Sequence, residues 1–215
     1  MHNKDRLVSE NANTGFLAIW SDVTPEQETD YIHWLTREHT AERLGVEGFA
    51  GVRVYRSVQT DICRYFIRYE LETPTVLASA AYLARLNEPT PWSQRIMPIL
   101  GNFVRGGGRV LARAGVGHGG ILAALKLESL SLGQDHPAAL QSIVAGLRIV
   151  RAELLETDLE STAIKTREKS LRGRDSSFAG LLLIEGTDVH AVADAANRLK
   201  LASLGNVYSL VFQLE

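Results

Sequence analysis

The chain contains one cysteine, Cys63, among its 215 residues. An intrachain disulfide is therefore impossible, and no zinc site can be assembled from thiolates alone, which fits a reducing cytoplasm. No segment offers the roughly 18 consecutive apolar residues of a membrane-spanning helix. The N-terminus, MHNKDRLVSENANTG, has charge and Asn/Ser where a leader would have an apolar run. The expectation is a disordered tail over residues 1–14 on a soluble, cytoplasmic protein with no membrane partner. Neither sign of charge dominates: a formal net charge of −2 gives no global attraction to nucleic acid or acidic membranes, so the partner is small or proteinaceous. With 45 % hydrophobic and 22 % charged residues the composition is that of an ordinary globular protein. At this length folding buries roughly 70 % of the unfolded surface.

What is present is organised around residues 24–49, TPEQETDYIHWLTREHTAERLGVEGF. Thr24 suits an N-cap, Pro25 the first helical position, and Gln27 the reciprocal place of a capping box, which predicts a helix over 25–44 released by Gly45 and Gly48. Residues 36–40 are poor in strong helix formers and mark a place for a break. On a helical wheel Tyr31, Trp34 and Leu35 share a face, Glu38 and Glu42 fall within the same stripe, and His39 lies on its flank. Ionisable groups thus occupy positions where core is expected. His33 projects to the opposite side and reads as solvated.

In chain order, 16–23 is strand-like and precedes that helix. Residues 52–56 and 63–71 alternate and form a hairpin around the turn residues Gln59, Thr60 and Asp61. Thr73-Pro74 caps a second helix, Thr90-Pro91 opens a further short one, and a fourth strand carries the run Arg105-Gly106-Gly107-Gly108-Arg109. The first half, 15–114, therefore reads β-α-β-β-α-β. Residues 115–120, with four glycines, read as a linker. After it, strand-like 121–127, a helix capped by Asp135, strand-like 149–157 and 178–185, a helix capped by Asp188, and a final strand over 207–214 repeat the same order in 121–215. The fold class expected is α+β: two tandem ferredoxin-like βαββαβ halves packed sheet to sheet as an α/β barrel.

Trp34, the Glu38-His39 pair, Glu42-Arg43-Leu44 and Glu47-Gly48-Phe49 leading into an alternating strand resemble the first helix of EthD-like proteins in the dimeric α/β barrel superfamily. The resemblance covers 15 to about 113. It implies the fold, and by family a small-molecule oxygenase, cyclase or isomerase, or a protein without activity. In that superfamily one short chain usually forms half a barrel and pairs with a second. The second half here has no Glu-His motif, which implies one pocket per chain, in the first half; a further homodimer is possible, but no feature demands it.

Catalytic candidates are His39, Glu42 and Glu38, since a His titrates near neutrality and a carboxylate can orient its ring; the structural reading is that Glu42 pairs with Arg43 or Arg53. Substrate-binding candidates are Trp34, Tyr55, Arg53 and Trp20. Tyr65, Tyr69 and Trp92 belong to the same aromatic set, with Arg64 and Arg68 alternating among them as carboxylate or phenolate binders or as ordinary ion pairs. His39 with Glu42 supplies only two ligands, so no metal is expected, and no cofactor. The glycine run lacks a Lys-Ser/Thr ending and suggests a bulge or kink in its strand. Residues 158–177 read as a solvated, mobile basic loop in preference to a lid for an anion.

The function expected is a small-molecule barrel protein acting, as a cofactor-independent cyclase, isomerase or oxygenase, on an aromatic or polyketide-like compound. The alternative is a non-catalytic binding or assembly protein of the same fold. A third reading, haem binding, follows from the likeness of paired ferredoxin-like halves to chlorite-dismutase and dye-peroxidase architecture; it needs an axial histidine, and His118, His136 and His190 are poorly placed for one. An enzyme requires an enclosed cavity reaching His39; an assembly protein requires that space filled.

Overall fold

The structure is a computed structural model and describes residues 14–59, 63–130, 135–173, 175–199 and 205–215. The expected N-terminal tail, apart from Thr14, and the turn residues Thr60 and Asp61 lie outside the described residues.

Eight strands, β1 (Gly15–Val23), β2 (Phe49–Ser57), β3 (Cys63–Leu71), β4 (Gly101–Gly115), β5 (Ile121–Leu127), β6 (Ile149–Thr157), β7 (Gly180–Gly186) and β8 (Gly205–Leu214), close into one antiparallel barrel. Its order is β1-β3-β2-β8-β5-β7-β6-β4. Each half contributes the ferredoxin-like order, β4-β1-β3-β2 and β8-β5-β7-β6, and the edges join through β2–β8 and β4–β6. The two sheets therefore meet as expected, and they meet without exposed edges, because each half pairs its free strand with the other half's.

Alternation decides what faces inward. From β1, Phe16, Ala18 and Trp20 point into the barrel and join Tyr55, Phe66, Leu155, Phe178, Leu181, Leu183 and Tyr208. Trp20 stacks obliquely on Phe66 at 4.6 Å and meets Phe178 edge-on at 5.3 Å, while its Nε1 donates to Tyr208 Oη at 3.1 Å. Leu17 and Ile19 point outward beneath the helices of the first half.

Those helices are α1 (Pro25–Trp34), a π-helical segment (Leu35–His39), α2 (Thr40–Leu44), α3 (Ala80–Asn87) and α4 (Pro91–Ile96). The cap at Thr24 forms as read, with Gln27 accepting from the Thr24 N–H at 3.4 Å. Pro74–Ala78 is a 3₁₀ turn, and α3 starts one step later, where Ser79 accepts from the Tyr82 N–H. Over the second half lie α5 (His136–Val144) and α8 (Val189–Arg198), capped by Asp135 and Asp188. Two short helices leave the second half and pack on the first: α6 (Leu159–Ala163) on β4 and the Pro74–Ala78 turn, and α7 (Arg167–Leu171) on α3 and α4.

Candidate functional site

The break in the first helix sets the site. A straight α-helix continuing from Leu35 would bring Glu38 and Glu42 to the buried stripe. Each π turn takes one more residue than an α turn, so the stripe passes instead through Tyr31, Trp34, Leu35, His39 and Arg43, all buried. Glu38 is displaced to the flank, where it accepts from Thr90 Oγ1 at 2.6 Å. Glu42 takes Arg85 at 3.0 Å and lies 3.7 Å from Arg43 Nη1. The expected hydrogen bond from the His39 ring to either carboxylate is therefore absent. His33 is exposed, as expected.

His39 is 4 % exposed and stacks on the Trp34 indole at 4.2 Å and 29°. The indole N–H is fixed by Ser93 Oγ at 3.1 Å. The imidazole borders a cavity of about 40 Å³ between the outer face of the first-half sheet and the helices, with Leu17, Ile19, Ile67 and Tyr69 as floor and Tyr31, Tyr82, Leu86 and Phe103 among its walls. This cavity lies outside the barrel, on the helix-covered face of the first-half sheet; the interior is filled by the aromatic cluster around Trp20.

Three polar atoms at this cavity have no hydrogen-bond partner among the described residues: His39 Nδ1, Arg43 Nη1 and the Tyr69 hydroxyl. A buried donor or acceptor left unpaired costs about 1–3 kcal/mol, so three together mark a place shaped for something other than packing. Burial, with the positive charges of Arg43 and Arg172 added to it, lowers the His39 pKa well below its ordinary value and keeps the ring neutral. Burial likewise pushes the Tyr69 hydroxyl far up, so it remains a donor.

The described part of 158–177 is largely exposed, as its charge suggests, but it is anchored at several points. Arg43 Nη2 donates to Glu168, Arg172 Nη1 lies 3.6 Å from the same carboxylate, and Arg172 grips Asp175 at 3.1 and 2.9 Å while its guanidinium covers the Phe103 ring at 4.1 Å. The segment closes the cavity as a lid, though over the helix face and not the barrel mouth. The glycine run makes room for it. The register shift in the β4–β6 pairing falls between Val110 and Ala112, beyond the glycines, which serve close approach. A Cβ on Gly108 would stand 2.1 Å from the Glu156 carbonyl oxygen, and the Asp158 N–H reaches the Gly107 oxygen at 2.9 Å.

Of the other candidates, Trp34 lines the cavity, whereas Trp20 and Tyr55 are in the barrel interior. Arg53 pairs with Glu70 at 2.7 Å and Arg64 with Asp22 at 2.6 and 2.7 Å. Arg68, on the inward face, joins Arg113 and Arg151 around Glu153, at 3.5, 2.5 and 2.7 Å. Arg43, Tyr82, Arg105 and Arg172 were missed. Arg43 was within reach, one turn beyond His39, once the break at 36–40 is given its effect on register.

Among the described residues the sheet beneath α5 and α8 is covered by aliphatic side chains, and His190 on α8 is exposed at the border of a cavity of about 720 Å³ between these helices and the 145–149 turn. No described cluster of His, Cys, Asp and Glu is placed to hold a metal ion, and no described helix is long and apolar enough to cross a membrane.

No family model matches the chain, and no curated protein does. Solved structures match it along nearly its whole length. An anthrone oxidase-like protein shares 13 % identity at a TM-score of 0.57, covering 96 % of this chain and 95 % of its own. A candidate monooxygenase from Fusobacterium nucleatum subsp. nucleatum shares 11 % at 0.51, covering 92 % and 91 %. A candidate chlorite dismutase shares 11 % at 0.49, covering 92 % and 95 %. The fold is thus α+β, a closed eight-stranded barrel of the dimeric α/β barrel type, here completed within one chain.

Proposed function

We propose that the chain, with 15–114 and 121–215 as its two halves, is a cytoplasmic small-molecule protein that takes an ionisable aromatic or polyketide-like compound against His39, which acts as a cofactor-independent general base. The observation that carries this reading is that the Nδ1 of a buried, neutral imidazole has no hydrogen-bond partner, in a cavity lined also by Arg43 and Tyr69, whose Nη1 and hydroxyl likewise make no hydrogen bond. The neutral ring has a lone pair free to take a proton, with its basicity lowered by burial first and by Arg43 second. The Arg43 guanidinium is also the group that stabilises a phenolate or enolate left behind. Trp34 supplies a rigid aromatic wall and holds the ring by stacking. Glu38 and Glu42 then serve to anchor the helix through Thr90 and Arg85. The order Trp34, Glu38-His39, Glu42 supports kinship with EthD-like proteins.

A space of about 40 Å³ holds a few waters and no aromatic ring, so the ligand enters only when α7 lifts from α3 and α4. That small volume favours the second reading, a non-catalytic binding protein of the same fold. The two separate on proton exchange. An anthrone, the compound class in one structural neighbour's name, carries in its central ring a methylene opposite the carbonyl, acidic because its anion is conjugated with that carbonyl through the fused rings. Incubated without oxygen in heavy water, it is expected to lose its methylene proton signal faster with the protein than without, and His39→Ala is expected to remove that acceleration by roughly a hundredfold or more. No acceleration of an anthrone, a naphthol or a 1,3-diketone would leave the binding reading.

A further inference from the structure

The lid has a second side. Between α6, Ser176-Ser177 and β4 lies another cavity, of about 280 Å³ and open to solvent, lined by Leu159, Ala163 and Thr162 together with Arg105 and Lys169. It shares those two cations with the His39 cavity, so they stand in the wall between the two spaces. Arg105 is 9 % exposed and Lys169 half-buried. Neither has a carboxylate within salt-bridge distance among the described residues. Both turn instead to a single oxygen: Lys169 Nζ donates to the Thr162 carbonyl at 2.9 Å, and Arg105 Nη1 to the same atom at 3.4 Å. The second Arg105 arm donates to the Tyr82 hydroxyl at 3.3 Å.

A carbonyl dipole cannot neutralise two cations drawn out of water. The carboxylates nearby are already engaged, Glu168 by Arg43 and Arg172, and Asp175, on the rim of the same cavity, by both arms of Arg172. Burial, followed by repulsion from Arg105 and Arg172 and only partly offset by Asp175, lowers the Lys169 pKa, as befits a cation pair short of an anion.

We propose that Arg105 and Lys169 anchor the carboxylate of a small aromatic acid, whose ring lies against Leu159 and Ala163. The site is built for that chemistry: a planar fork and a mobile ammonium for the two oxygens, apolar side chains for the body, and a volume close to the roughly 300 Å³ at which small-molecule pockets begin. The inference deepens the proposed function and rests on it for one point, that a longer acid held here extends past the shared wall toward His39.

Calorimetric titration of the full chain with benzoate and with its neutral counterpart benzamide tests this. Benzoate is expected to bind at least tenfold tighter than benzamide. Lys169→Gln and Arg105→Gln are each expected to weaken benzoate tenfold or more, and Arg105→Lys to weaken it less, with circular dichroism confirming the fold. Should Arg105→Gln fail to fold, the half-buried Lys169→Gln decides. No benzoate binding by the wild-type chain, equal binding of benzamide, or affinity unchanged by Lys169→Gln would overturn the proposal. The readout involves no turnover: a chain that binds benzoate in this manner yet exchanges no protons would contradict the general base and leave the anion site standing.

Discussion

The two helix-covered faces of the barrel rest on sheets of the same strand order and are filled in opposite ways. Under α5 and α8 the side chains are Ala112, Ala114, Ala123, Leu125, Leu140, Ala152, Leu154, Leu182, Ile184, Val192 and Ala196, with no ring and no charge. Small residues let the helices settle onto the strands, and the layer is a core in the ordinary sense. Under α1 to α4 the filling is Tyr31, Trp34, Phe49, Tyr65, Tyr69, Tyr82 and Phe103, with His39 and Arg43 among them. Planar rings and a guanidinium do not tile as closely. They leave a small cavity within the layer, lined by rings and ionisable groups; the second face has a cavity too, of about 720 Å³, but it is a more open cleft between α5 and α8 at the 145–149 turn. The difference teaches that the first face carries a cost in stability for which packing supplies no reason.

Four outcomes break or sharpen this contrast. The largest effect is expected in the barrel interior, between the two faces, at Glu153. Glu153→Ala leaves Arg68, Arg113 and Arg151 around an empty centre and should cost about 3–5 kcal/mol in a urea unfolding curve. The same carboxyl gives the acid limb. Burial raises its pKa, but the three arginines outweigh that and hold it well below the usual carboxylate range. The folded pKa lies below the unfolded one, so its contribution is present above pH about 4 and is lost as the pH falls further; in Glu153→Gln that part of the limb should disappear.

Next in size is Leu182→Ala on the second face, expected to cost about 2–5 kcal/mol with no change in ligand response. If it altered binding or proton exchange instead, the division of labour between the faces would be wrong. Smaller, and of opposite sign, is His39→Phe. It keeps the stack on Trp34 and removes the unpartnered nitrogen, so it should stabilise by about 1 kcal/mol, visible as a rise in Tm of roughly 2–4 °C, while abolishing exchange. A clear loss of stability would mean that His39 is a structural group. The smallest effect is the pH dependence of the wild-type chain near neutrality. Because the folded His39 pKa is depressed, the unfolded chain binds more protons below about pH 6.5. Stability should therefore decline as the pH drops below that value, and His39→Phe should flatten this part of the profile.

Much of the scaffold is legible locally. Thr24, Pro25 and Gln27 announce the first helix, Asp135 and Asp188 announce α5 and α8, and alternation over 63–71 identifies β3, because caps and alternation act within a few residues. His39 is legible as a functional candidate for the same reason. The carboxylates beside it are not, since a wheel drawn at the α-helical period cannot anticipate the extra residue of the π segment at Leu35–His39. Trp20, Tyr55 and Arg53 were assigned to the ligand because sequence gives the alternation of a strand but not which face becomes the interior. The lid was illegible for a further reason. Its charge reads as solvated until Glu168 is seen against Arg43, 125 positions away, and Arg105 against Thr162, 57 away.

The central claim, that the first face is a ligand site built around a neutral His39, is tested most directly by nitrogen NMR of the His39 imidazole in a labelled chain. The account predicts a neutral ring from about pH 6 to 8 whose Nδ1 resonance moves when an anthrone or a naphthol is added, while the methyl signals of Leu182 on the second face stay fixed. A ring that titrates near pH 6.5, or a response to the ligand as large at Leu182 as at His39, would contradict it.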